Sequence, residues 1–202
     1  MEMKNTGLDL PLVLFKNQKA WEAWLLKHFD SSPGLYLRLV KKAAELKSVT
    51  YQEALDVALC YGWIDGLRKG YDADSFVQRF TPRGPRSIWS KINRAKTLAF
   101  IEQGRMHAAG LAAIEKAKQN GRWDAAYDSL GTAETPPDLQ KALDKSPKAK
   151  AFFAMLNSQN RYAILFRIQT AKKAETRKRR IDQFVDMLEK HETLYPPSRR
   201  QP

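Results

Sequence analysis

The chain has 202 residues, 43% of them hydrophobic and 28% charged, with a formal net charge of +13. That balance supports one sizeable core, or one core with a smaller appended bundle, and excludes disorder throughout. The longest apolar runs, such as Ala163-Ile164-Leu165-Phe166, fall far short of the roughly 20 residues that cross a bilayer, so no membrane span is expected.

The amino terminus carries acidic and polar residues early and has no small-residue cleavage site, which removes the secretory-signal reading. Cys60 is the single cysteine and has no partner for an internal disulfide. Both features make the cytoplasm the expected compartment.

In chain order, Asn17 precedes a helical spacing of Trp21, Trp24, Leu25 and His28, and Ser31-Ser32-Pro33-Gly34 ends that helix. Residues 35–42 alternate as a strand. Thr50 and Glu53 have capping-box spacing, and Ala54, Leu55, Ala58 and Leu59 give the helix they start a buried stripe that stops at Gly62. Residues 63–70 and 75–82 read as two strands joined by a turn at 71–74, where Asp72 and Asp74 suit the bend. Ser87 is the expected cap of a helix with Ile88, Ile92, Ala95, Leu98 and Ala99 on its apolar face and Gly104 past its end. A further helix covers 107–119, and Gly121 breaks it.

From Gly131 the composition changes, and Thr135-Pro136 and Ser146-Pro147 each mark a helix start. Phe152, Phe153 and Leu156, then Ile164, Leu165 and Ile168, then Ile181, Phe184, Val185 and Leu188 supply three apolar helical faces. Between the last two, residues 171–180 offer almost nothing to bury, so the helix either continues as an exposed rod or breaks near Glu175. The fold class expected is α+β: mainly helical, with a small antiparallel sheet of about three strands in the amino-terminal half and a helical carboxy-terminal part. The expected domains are 1–130 for the α+β part, 131–195 for the helical part and 196–202 for a disordered tail.

The charge is concentrated. Residues 79–96 hold six cations and no acid, and residues 161–180 hold eight cations and one acid, so these two segments carry the whole net charge. On one face they would attract phosphate, nucleic acid or an acidic partner; on separate faces they are solvated helix surface. His28, His107 and His191 have no paired ligand spacing, so no metal site is expected, and Gly62, Gly66 and Gly70 do not have the spacing that cradles a pyrophosphate. No cofactor is expected. Cys60 stands at a helix end with no neighbouring histidine, which makes it a buried structural thiol.

Asp65 on an otherwise apolar strand needs a partner, for which Arg68, Lys69 and Arg79 are candidates; the alternative is acid–base work. The strongest binding stretch offers Arg79, Arg83 and Arg86 beside Thr81, Ser87 and Ser90, with Trp89, Asn93 and a helix start, a combination suited to phosphate or carboxylate. Arg161, Lys172, Arg177 and Arg180 complete the candidate anion-binding set.

Five stretches, YQEALDVALCYGWIDG, RFTPRGPRSIWSKIN, GRMHAAG, AKQNGRWDAAY and NRYAILFRIQTAKKAETRKRRI, together resemble the bacterial YdeI/OmpD-associated family, also called bacteriocin-protection proteins, from about Phe15 to Leu188. The resemblance supplies no catalytic residues. It implies links to antimicrobial-peptide tolerance and to a porin, hence a protein partner in the envelope, although contact with a porin would require export. Three readings follow: a non-enzymatic protein binding nucleic acid or a phosphorylated ligand, an enzyme with Asp65 as acid or base and Arg79 and Arg83 as clamps on a small anionic substrate, and an envelope-associated protection protein. Binding ranks first.

Overall fold

The computed structural model describes residues 8–196. They form two compact units, one of residues 8–89 with 93–124 and the other of residues 90–92 with 125–196. The expected tail beyond Pro196 lies outside the described residues.

In the first unit the expected α+β arrangement is present, with one strand more than the alternation reveals. A sheet in the order β1-β2-β4-β3 joins β1 (Leu12–Val13), β2 (Leu35–Val40), β3 (Trp63–Gly70) and β4 (Ser75–Pro82). β3 and β4 form the hairpin, and β4 also pairs antiparallel with β2, Leu37 opposite Gln78. The added strand β1 runs parallel to β2, so the sheet is mixed rather than purely antiparallel. Two residues are too few to display a period of two, which is why the strand is invisible in the sequence.

β3 also carries an irregularity between Asp65 and Arg68. There the carbonyl of Gly66 accepts a hydrogen bond from Nε2 of Gln78 at 2.8 Å, which accounts for a fully buried glutamine in β4.

Helix α1 (Gln18–His28) starts at Asn17, whose side chain accepts from the Ala20 amide, and α2 (Tyr51–Cys60) starts at Thr50 with the reciprocal Thr50–Glu53 capping box formed. Trp21 is fully buried between them and the sheet. It stacks on Trp24 at 5.5 Å, meets Trp63 edge-on at 6.2 Å and Phe80 at 5.8 Å, and its indole N–H donates to the Ala54 carbonyl at 3.1 Å. Each buried ring nitrogen is thus satisfied, since Trp63 donates to Phe29 O at 2.9 Å.

Helix α3 (Lys91–Glu102) corrects the sequence reading in start and in face. Ser87 is not its cap; its amide closes a turn onto Gly84 O at 3.0 Å, and the helix begins four residues later. The buried side is Asn93, Thr97 and Phe100, while Ile92 and Leu98 stay 48% and 46% exposed. Thr97 can occupy the buried side because its hydroxyl donates back to the carbonyls of Asn93 and Arg94.

Helix α4 (Ala108–Gln119) is capped by the His107 ring, which accepts from the Ala109 amide. It approaches α2 so closely that a Cβ on Gly110 would stand 2.2 Å from the carbonyl oxygen of Cys60. Gly62, at φ +73, makes the reciprocal approach to Ala109 O.

The second unit is helical: α5 (Pro137–Asp144), α6 (Pro147–Met155), α7 (Ser158–Gln169) and α8 (Ala174–Glu189). Its core gathers the three expected apolar faces, with Phe153, Ile164, Leu165, Ile168, Ile181, Phe184 and Leu188 buried together beside Leu139 and Leu143 of α5. The open question over residues 160–190 resolves as two helices with a break at 170–173. Ser146 caps α6 as expected and its hydroxyl donates to Glu189 at 2.6 Å, tying the start of α6 to the end of α8.

Gly110→Ala should destabilise the first unit by about 2–3 kcal/mol, because backbone must move to admit the methyl. Gly84→Ala, where a Cβ would meet nothing within 4 Å, should leave the urea midpoint almost unchanged. Equal midpoints for the two variants would contradict the close approach of α2 and α4.

Candidate functional site

In the first basic segment Arg79, Lys91 and Lys96 are ion-paired with Asp9, Asp128 and Asp56, and Arg83 and Arg94 are held by aromatic faces and backbone carbonyls. The guanidinium of Arg83 lies 3.5 Å above the ring of Trp89 and donates to Ile88 O at 3.1 Å. Trp89, 2% exposed, meets Trp123 edge-on at 5.0 Å, and Arg94 closes the other side, 5.1 Å over Trp123 and donating to its carbonyl at 2.6 Å. This run of cation, indole, indole and cation pins the loop between β4 and α3. Trp89 is therefore a loop anchor, ahead of the helix expected to start at Ser87.

Beside this stack lies a crevice of about 20 Å³ lined by Arg83, Ser87, Lys116, Asn120 and Arg122, with Trp89 at its wall. Among the described residues no aspartate, glutamate, histidine or cysteine lines it. Arg122 donates from Nη1 to the Arg86 carbonyl at 2.8 Å, whereas its Nε is buried and has no hydrogen-bond partner. Lys116 and Arg122 were absent from the candidate set. Their signal was the end of α4 and the turn after it, where Lys116 falls on the last turn of the helix and Arg122 follows the Asn120-Gly121 break.

The remaining candidates of this unit lie elsewhere. Asp65 accepts a hydrogen bond from the Tyr51 hydroxyl at 2.9 Å, rather than pairing with one of the three expected cations. Arg68 lies 3.9 Å over the Phe76 ring, and Lys69 is exposed. Arg79 is ion-paired with Asp9 at 3.2 Å. Thr81 faces Ile64 across the hairpin, and Asn93 is buried in α3. Arg79 is thus paired with Asp9, whereas Arg83 rests on Trp89 at the edge of the crevice.

The second basic segment belongs to the other unit, as does Ser90, which is buried and bridged to Tyr127. Its arginines close helix ends. Arg161 donates to Phe153 O and Ala154 O at the end of α6; Arg177 donates to Ile168 O at 2.9 Å, and Arg180 to Arg167 O, at the end of α7. The last carbonyls of a helix lack intrahelical donors and carry its negative pole, so a guanidinium there satisfies both. Arg177 additionally forms a two-pronged ion pair with Asp138. Lys172 is exposed in the break.

Cys60 is buried, and burial pushes its thiol up to about 11, which makes it a poor nucleophile. Among the described residues no group of three metal-ligating side chains could hold an ion, and no helix is long and apolar enough to cross a membrane.

These features define a two-unit α+β protein whose first unit presents a crevice lined by Arg83, Lys116 and Arg122. Residues 13–113, half of the chain, match the model of a domain of unknown function (DUF8412), and residues 132–191 match the model of the family described as bacteriocin-protection, YdeI or OmpD-associated. The chain therefore belongs to the family of that domain of unknown function and carries a YdeI/OmpD-associated region in its second unit. The match to the latter family, expected from the sequence, covers residues 132–191, and the motifs up to Gly110 fall within the other match. No curated protein and no solved structure matches the chain.

Asp128, in the second unit, is held below the usual carboxylate range, first by the hydrogen bond from Lys91 at 2.6 Å and then by that from Gln169. A depressed folded-state value stabilises above the unfolded value of about 3.9 and loses its effect as pH falls through the folded value. Asp128→Asn should therefore cost stability at pH 7, and the gap to wild type should narrow progressively below about pH 4. A gap of the same size at pH 7 and pH 3 in urea unfolding would contradict the pairing.

Proposed function

We propose that the protein binds a phosphorylated small molecule, and that the crevice of Arg83, Lys116 and Arg122 receives its terminal oxyanion. The observation that carries this reading is the lining itself: Lys116 and Arg122 line one hollow with Arg83, and no carboxylate of the described residues is part of that lining. Their mutual repulsion is relieved by a visiting negative group, and a buried Arg122 Nε without an acceptor is a donor such a group can use.

Space limits the ligand. A volume of about 20 Å³ takes one or two water-sized groups, so phosphoryl oxygens enter while the rest of the molecule stays at the mouth. Binding is favoured over catalysis because the lining holds no group suited to take up a proton near neutral pH. Nucleic acid is the weaker ligand class: the arginines of the second basic segment are engaged with backbone carbonyls and Asp138, which removes them from the extended phosphate-tracking surface that such binding needs.

Calorimetric titration with inorganic phosphate and pyrophosphate at low salt tests the reading. Saturable 1:1 binding is expected, weakening as salt rises, and Arg122→Leu and Lys116→Ala should each weaken it about tenfold or more, the scale of one charge-assisted hydrogen bond. Unchanged affinity in Arg122→Leu would overturn the proposal, as would a wild-type protein that ignores both anions.

A further inference from the structure

The second unit contains a cleft of a different chemistry. About 530 Å³ in volume, it is walled by Leu130, Tyr162, Phe166 and Tyr195, with Arg167 the one charged residue of its lining among the described residues. That volume lies within the range of small-molecule sites, which are typically apolar with few polar groups.

Two features show that the cleft is built. Asn160, only 3% exposed, grips the backbone of Tyr195 from both ends of its amide: Nδ2 donates to Tyr195 O at 3.0 Å, besides Asn157 Oδ1 at 3.2 Å, and Oδ1 accepts from the Tyr195 amide at 2.9 Å. A buried amide group matched at both ends fixes the segment it grips, so the Tyr195 ring is a set wall. Arg167 is oriented from the opposite side. Its Nη1 donates to Ala163 O at 3.0 Å, its Nη2 reaches the Tyr195 hydroxyl only at 3.4 Å, and no carboxylate of the described residues pairs with it. Leu130 and Tyr195 nevertheless leave 53% and 38% of their surface exposed, so the apolar walls remain open to an incoming group.

The geometry points to a binding site for a planar aromatic monoanion, a ring carrying a carboxylate or sulfonate. Its ring lies against Phe166, Tyr162 and Tyr195, where offset or edge contacts are favourable, and its anionic group meets the Arg167 guanidinium. An aliphatic anion would leave the aromatic walls uncovered, and a neutral ring would leave the guanidinium without its counter-charge. The site is separate from the oxyanion crevice and does not depend on it.

The test uses the full chain and 8-anilinonaphthalene-1-sulfonate, whose fluorescence rises on transfer to an apolar site. One saturable site is expected, competed by 2-naphthoate but not by naphthalene-2-methanol, which keeps the ring and lacks the charge. Arg167→Leu should weaken the dye about tenfold or more, as the loss of one charge-assisted contact does, while Arg167→Lys recovers part of it. Arg122→Leu and excess phosphate should change nothing, which separates this site from the phosphoryl site. Equal competition by the acid and the alcohol in wild type would overturn the proposal. So would unchanged dye affinity in a folded Arg167→Leu protein, or the absence of a saturable site.

Discussion

A guanidinium on an indole face determines the geometry of the first unit's functional edge. Arg83 sits over Trp89, Trp89 abuts Trp123, and Arg94 lies over Trp123. A desolvated cation–π contact contributes up to about 2 kcal/mol, and this stack contains two. Because Trp89 is held in the loop, the chain reaches Lys91 before it can turn helical, and α3 takes the phase that buries Asn93, Thr97 and Phe100. The same anchoring sets Arg83 at the crevice where Lys116 of α4 and Arg122 converge.

Charge in this protein has two uses. In the second unit, arginines end helices: Arg161 for α6, Arg177 and Arg180 for α7. A basic run that looks like a polyanion-binding face in sequence is largely spent on carbonyls that helix geometry leaves unpaired. In the first unit, by contrast, Lys116, Arg122 and Arg83 line one hollow, with no acid among the described residues of its lining.

Much of the fold was legible because it rests on local chemistry. Asn17, Thr50 with Glu53, and Ser146 cap the helices they were expected to cap, and the two hairpin strands fall at 63–70 and 75–82 as read. What escaped depends on contacts distant in sequence. β1 exists only through its pairing with β2, and α3 is phased by an aromatic stack reaching from Trp89 to Trp123. Of the crevice lining, Arg83, Ser87 and Trp89 were among the sequence candidates, whereas Lys116 and Arg122 come from a helix end and a turn that only the fold brings beside them. The partner of Asp65 was missed for a related reason: a tyrosine hydroxyl one helix away satisfies a carboxylate as well as an arginine does.

The account stands or falls on whether the Arg122 side chain meets an anion. Nitrogen-detected NMR of the arginine Nε–H groups during a phosphate titration addresses this at the atom concerned. A saturable downfield shift of the Arg122 Nε proton, with the Arg94 signal unmoved, is the predicted result. An Arg122 signal that stays in place while phosphate reaches saturating concentration, or moves no more than that of Arg94, would contradict it.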